Sequence, residues 1–166
     1  LAGASGLSVG TVHRLLRTMV DLGYVRQGPS RSYALGHALI RLGERASAGL
    51  AGWSRPMLEA VGREVGEAVN LAALENDQVV YLAHVPSAHA VRTFTEVGSR
   101  VPVHSTGVGK AMLAQFDEQD SRALLGRTGM AAATGHTITD PEAMASELRT
   151  IRERGHAMDE EEQELG

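Results

Sequence analysis

Apolar residues recur at helical spacing early in the chain. In LSVGTVHRLLRTMVDLGYV, Val12, Leu15, Leu16, Met19 and Leu22 fall three and four residues apart and line one face of a predicted helix, a stripe expected to be buried. Ser8 stands at the start, where its hydroxyl can accept from an amide of the first turn. Gly23 ends the helix, because glycine takes the left-handed conformation cheaply. The other face carries Thr11, His13, Arg14, Arg17 and Thr18, all hydrogen-bond donors. Two short runs follow, YVRQG and RSYAL, separated by Gly28-Pro29-Ser30. They predict a hairpin with Arg26 and Arg31 flanking its tip. LAGASG, ahead of the helix, reads as a helix end and a tight turn at Gly6.

The pattern then changes. Leu35, Leu39, Ile40 and Leu42 predict a helix from Leu35 to about Gly49, and the glycines at 49 and 52 mark a boundary. A further helix is expected from about Ser54, with Pro56 tolerated in its first turn and Met57, Leu58, Val61 and Val65 buried. Strands over 69–74 and 79–85 flank Glu75-Asn76-Asp77, a hairpin signal, and Val91, Thr93, Thr95 and Val97 alternate as a third strand. Helices over 107–115, 121–125 and 141–154 complete an α+β fold. The expected division is a winged helix-turn-helix over residues 1–34, a linker helix over 35–52, and a sensor domain over 53–166.

Charge sharpens this picture. The net charge of −4 is uneven: residues 1–50 carry six arginines against Asp21 and Glu44, a net of +4, whereas the remainder holds ten basic and eighteen acidic residues, a net of −8. A basic first segment on an acidic body points to a polyanionic partner for that segment. A helix fits the major groove and its donors reach base edges, while a wing adds backbone contacts. Ser8, Thr11, His13, Arg14, Arg17 and Thr18 are therefore the candidates for groove contacts, and Arg26, Arg31 and Ser32 for phosphates. The competing interpretation of the same face is an ordinary solvated helix.

The stretch HSTGVGK, His104 to Lys110, resembles a phosphate-binding loop but fails its requirements. A nucleotide loop needs Gly five residues before Gly109 and a hydroxyl after the lysine, where this chain has His104 and Ala111. Thr106 instead stands before a helix whose first amides lack internal partners, so Gly107 and Val108 are placed to hold a small carboxylate. His84, His89 and His104 do not make a converging zinc set, and there is no cysteine to help. No nucleophile-elbow Gly-x-Ser-x-Gly is present, so the sequence assigns no catalytic residue, metal or cofactor. No apolar run approaches the roughly 18 residues of a membrane span.

GLSVGTVHRLLRTMVDLGYV and YALGHALIRLG resemble the DNA-binding domain and linker helix of IclR-type bacterial transcription regulators. The likeness continues through GEAVNLAALENDQVVYLAHV, VGSRVPVHSTGVGKAMLA and ELRTIRERGHAMDEEEQELG, in the family's order. The resemblance implies a GAF-like effector domain, double-stranded DNA and a small-molecule effector as partners, a homodimer or homotetramer, and a cytoplasmic setting. It implies a carboxylate or aromatic acid as effector and carries Val101, Gly107, Val108 and Asp159 over as pocket residues, with Asp159 accepting from a hydroxyl or a protonated group. It also implies further helices before Leu1 and further strands after Gly166. Two rivals stay open: an enzyme using the Gly-rich segment for an anionic substrate, and a sensor that docks on another protein without touching DNA.

Overall fold

The computed structural model describes residues 1–47, 49–87 and 96–165. The chain divides into two compact units, Leu1–Trp53 and Ser54–Gly166.

In the first unit, α1 (Ala2–Ser5) leads through Gly6 into α2 (Val9–Asp21). Ser8 Oγ caps α2 by accepting from the Thr11 amide at 3.2 Å, and Gly23 follows with φ 76°. Strands β1 (Val25–Gln27) and β2 (Tyr33–Leu35) pair antiparallel, with Val25 opposite Leu35, and form the wing. The helix α3 runs over Ala38–Ser47. Leu35 thus belongs to the hairpin rather than to the helix, because its backbone pairs with Val25. The apolar stripe of α2 differs from expectation: no residue of this helix is buried, and Leu15, Met19 and Leu22 are 49%, 44% and 60% exposed. Val12 and Leu16 of the same stripe are half-buried, so the unit's partners cover the face only in part; amphipathic spacing sets which face is apolar, and burial depends on what packs against it.

Helix α4 (Leu50–Val65) begins four residues before the position predicted from Pro56, which lies inside it. At this interior position the proline removes the amide that would bond the Gly52 carbonyl and crowds that carbonyl with its ring. Of the four residues expected to be buried here, only Leu58 is; Met57, Val61 and Val65 face outward. The second unit is built on a three-stranded antiparallel sheet in the order β3 (Val69–Glu75), β4 (Gln78–Val85), β5 (Arg100–Val101). Asn76 and Asp77 take φ 52° and 61° in the β3–β4 turn, as a tight hairpin requires. Residues 91–95 and His89 lie outside the described residues, and the third strand of the sheet is at Arg100–Val101.

The register places Leu74 opposite Val79 and Ala72 opposite Tyr81, then Leu71 opposite Ala83, so Leu82 is an extra residue in a β-bulge. Ala72, Leu74, Val79 and Val101 share one face and pack with α5 (Gly107–Leu113), α6 (Glu118–Thr128) and α7 (Pro141–Arg154). Val79, Val103, Leu113, Leu124, Met144, Leu148 and Ile151 form the core of that layer. On the other face, a Cβ added to Gly62 of α4 would lie 3.5 Å from Val85 and 3.6 Å from Val69. The sheet therefore sits between α4 and the three later helices, in an α+β arrangement.

Candidate functional site

The polar face of α2 is fully displayed to solvent. His13, Arg14 and Arg17 are exposed, and none of the three side chains has a hydrogen-bond or ion-pair partner among the described residues. The neighbouring hydroxyls are partly committed. Thr18 donates to the Arg14 carbonyl at 3.2 Å, and Ser8 and Thr11 share a hydroxyl–hydroxyl bond of 2.9 Å. On the wing, Arg26 reaches back to the Leu35 carbonyl at 3.4 Å and Ser32 pairs with Ser30 at 3.0 Å. Arg31 adopts φ 58° at the turn and is exposed there. The structure thus brings Arg14, Arg17 and His13 together on one helix, with Arg26 and Arg31 on the adjoining hairpin.

The second candidate lies where HSTGVGK meets the acidic segment near the end of the chain. Val103 and His104 run into Thr106, which caps α5: its hydroxyl accepts from the Gly109 amide at 3.2 Å and donates to the Pro102 carbonyl at 2.9 Å. Gly109 is required, since a Cβ there would stand 2.6 Å from the Val103 Cα. Gly107 packs against a different neighbour. A Cβ on it would meet the Asp159 amide at 3.4 Å and the Met158 carbonyl carbon at 3.5 Å, so residues 157–159 lie directly against it. Two of the predicted pocket residues, Gly107 and Asp159, are thereby neighbours although 52 positions apart. Val101 and Val108 pack at the edge of the adjoining core.

A buried polar network pins the acidic segment in place. Lys110 Nζ is paired with Glu162 Oε1, with the two side chains 2% and 7% exposed. The Thr137 hydroxyl donates to the Glu162 carbonyl at 2.6 Å, and Ser105 donates to Gln163 Oε1 at 2.5 Å. Asp159 Oδ1 accepts from the Glu162 amide at 2.9 Å and more weakly from Gln163 at 3.4 Å. These bonds settle the role of the apparent phosphate-loop lysine: Lys110 is a buried structural cation and is not presented to a ligand. Thr106 likewise spends its hydroxyl on the Gly109 amide and the Pro102 carbonyl.

Spacing did not reveal Lys110 with Glu162, nor Tyr81. The phenol of Tyr81 is pushed above its ordinary pKa first by burial and then by the charge of Asp159, which places the two side chains in electrostatic reach of each other. His84 Nδ1 donates to Asn70 Oδ1 at 2.7 Å, and buried His104 donates from Nε2 to the Ala131 carbonyl at 3.0 Å. Among the described residues no three His, Asp or Glu side chains are disposed to hold a metal, and no helix is long and apolar enough to cross a membrane. A cavity of about 360 Å³ lies apart from this site, between α6 and α7, floored by Leu125, Met130, Ala145 and Leu148. It contains none of the predicted pocket residues.

Comparison with known proteins gives consistent matches along the chain. The family model described as the IclR helix-turn-helix domain matches residues 1–29, and that of the bacterial transcriptional regulator IclR C-terminal domain matches residues 45–166. The transcriptional repressor IclR of Escherichia coli K12 is 36% identical over 171 residues, covering 100% of this chain and 62% of the repressor. The regulator KdgR of the same organism is 36% identical over 163 residues, with 96% and 62% covered. The chain thus spans about three-fifths of the length of these curated relatives. Among solved structures, a transcriptional regulator of this kind from Alicyclobacillus acidocaldarius superposes with a TM-score of 0.86 at 34% identity, covering 99% of this chain and 68% of that one. An IclR homologue from Microbacterium hydrocarbonoxydans, solved with 4-hydroxybenzoate, gives 0.76 at 27% identity, covering 93% and 65%.

Proposed function

Because this chain belongs to the IclR family of bacterial transcriptional regulators, we propose that it binds operator DNA sequence-specifically and that a small organic acid modulates that binding. The observation that carries the DNA half is the unpartnered basic face of α2 beside a basic wing. Arg14, Arg17 and His13 enter the major groove with Thr11, Thr18 and Ser8 at its margins, and Arg26, Arg31 and Ser32 hold phosphates. DNA binding is assigned to residues 1–34, the linker to 35–52 and effector binding to 53–166. One recognition helix reads too few base pairs for useful specificity, so the working form is a homodimer or a homotetramer acting in the cytoplasm.

The effector half of the proposal rests on the contact between Gly107 and the Asp159 segment. Gly107 and Val108 offer backbone amides at the start of α5, Asp159 offers a carboxylate oxygen, and Val101 supplies apolar surface, with Thr106 holding the turn. A carboxylate or aromatic acid suits this set, and 4-hydroxybenzoate in the homologue from M. hydrocarbonoxydans supports that class. Effector binding then biases domain arrangements that present the recognition helices at different spacing.

Fluorescence anisotropy on DNA from upstream of the gene, with scrambled competitor in excess, tests the proposal. Specific binding is expected to survive the competitor. Arg14→Ala and Arg17→Ala are each expected to weaken it, while acid binding stays intact. Any replaced residue that contacts phosphate reduces the salt slope by about one unit. Binding that vanishes with competitor would reduce the α2 face to a solvated surface.

A further inference from the structure

Helices α6 and α7 leave between them a hollow of about 360 Å³, within the range of about 300–1,000 Å³ that small-molecule sites occupy. On α7, Pro141, Ala145, Leu148 and Arg152 recur at helical spacing and line it, and Leu125 and Gly126 of α6 line it with Met130. Leu125, Ala145 and Leu148 are themselves buried, so the floor is apolar and fixed. Met130 is half-buried and unbranched, a side chain that adapts to the shape lying against it. A Cβ added to Gly126 would meet nothing within 4 Å, so there is room along that wall.

Two arginines border the hollow, and they differ in what they have left to offer. The Arg122 guanidinium is taken up by carboxylates: it donates to Glu118 at 2.9 Å and to Glu142 at 2.8 Å. Arg152 pairs with no carboxylate among the described residues. Its Nε donates to the Ala114 carbonyl and its Nη2 to the Phe116 carbonyl, each at 2.7 Å, and its Nη1 has no partner among those residues. Two neutral acceptors thus hold the planar group still without cancelling its charge. A guanidinium fixed in advance loses little freedom on meeting an anion, and its fork matches a carboxylate. The floor therefore suits hydrocarbon and the rim suits one negative charge. An inorganic anion would leave the floor uncovered, and a neutral hydrocarbon would leave the charge of Arg152 unmatched.

We propose that this hollow is a second small-molecule site of the effector unit. It takes an aromatic or aliphatic carboxylate, with the apolar body on Leu125, Met130 and Leu148 and the carboxylate on Arg152. It shares no residue with the pocket assigned to Gly107 and Asp159 and does not depend on that assignment. Methionine-methyl NMR of the chain, titrated with naphthoate and with its uncharged amide, tests the proposal, the Met130 signal being identified through Met130→Leu. The acid is expected to shift the Met130 signal and to bind about tenfold more tightly than the amide. Arg152→Gln should bring the two within about twofold. Gly126→Leu, which adds a side chain at the wall and removes no side-chain bond, should abolish the Met130 response while the circular dichroism spectrum is unchanged. The acid-to-amide ratio is read on the unmodified protein, so it decides the role of Arg152 whatever Arg152→Gln does to the fold. Equal affinity for acid and amide overturns the charged anchor and the carboxylate class with it. A shift at Met158, beside Asp159, with Met130 unmoved places the acid in the other pocket and overturns the second site. No response of Met130 to either compound also overturns it, and a Met130 signal that moves with protein concentration alone gives the hollow to a second copy of the chain instead.

Discussion

Replacing Lys110 by Met isolates the electrostatics of the buried network. The substitution keeps an unbranched side chain of similar length and removes the cation paired with Glu162. Oε1 then loses its partner, and Oε2 has none to begin with. A carboxylate left in that state inside the fold costs about 3–5 kcal/mol, because neither water nor a counter-charge solvates it. Against a typical domain stability of about 5–15 kcal/mol this is a large share. At several degrees per kcal/mol it lowers the melting temperature by roughly 10–25 °C. Changing both partners, Lys110→Met with Glu162→Met, removes the orphaned charge and should recover most of the loss. Urea unfolding followed by far-ultraviolet circular dichroism measures all three proteins. A single variant within about 1 kcal/mol of the parent would refute the argument. So would a double variant as damaged as the single one, since packing rather than charge would then be at fault.

Two glycines of the same unit should respond in opposite directions. Gly109→Ala forces a methyl group against the Val103 backbone and should destabilise by on the order of 3 kcal/mol, whereas Gly126→Ala in α6 meets nothing within 4 Å and should stabilise by up to about 1 kcal/mol; thermal melts of the two variants read both signs. Asp77 is held below the usual carboxylate range, first by its hydrogen bond from Arg127 and then by that residue's charge. The stability it contributes is therefore present above the ordinary aspartate pKa and fades as pH falls through the lowered value. The stability gap between the parent and Asp77→Asn should close in acid and shrink with added salt, and a gap that widens in acid would reverse the assignment.

Local signals carried a good part of the fold. Asp140 ahead of Pro141 and Gly155 after Arg154 bracket α7, and the cap bond from the Ala143 amide to Asp140 is formed at 2.8 Å. Asn76 and Asp77 announced the β3–β4 turn for the same reason: few residues take positive φ cheaply. What spacing could not convey was which apolar faces find a partner. Much of the stripe on α2 and most of that on α4 are displayed rather than buried, because periodicity describes one helix and burial depends on two. The site shows the same limit. The motif around Gly107 was visible as a capped, glycine-rich turn, yet its neighbours Asp159 and Glu162 arrive from some 50 residues away. Tyr81 comes from a strand whose register no local signal specifies.

The bulge at Leu82 gives β4 a property that an unbroken strand lacks. Removing any other residue from this hairpin exchanges the two faces of everything beyond it, and sends Val79 or Val85 to the wrong side. Removing Leu82 alone leaves every flanking side chain facing as it does now, since Ala83 already pairs with Leu71 as the next regular step. Chain length at that single point is therefore a free variable of the architecture. It sits immediately after Tyr81, so a one-residue change there straightens or bends the strand beside that side chain while the pairing on either side is kept.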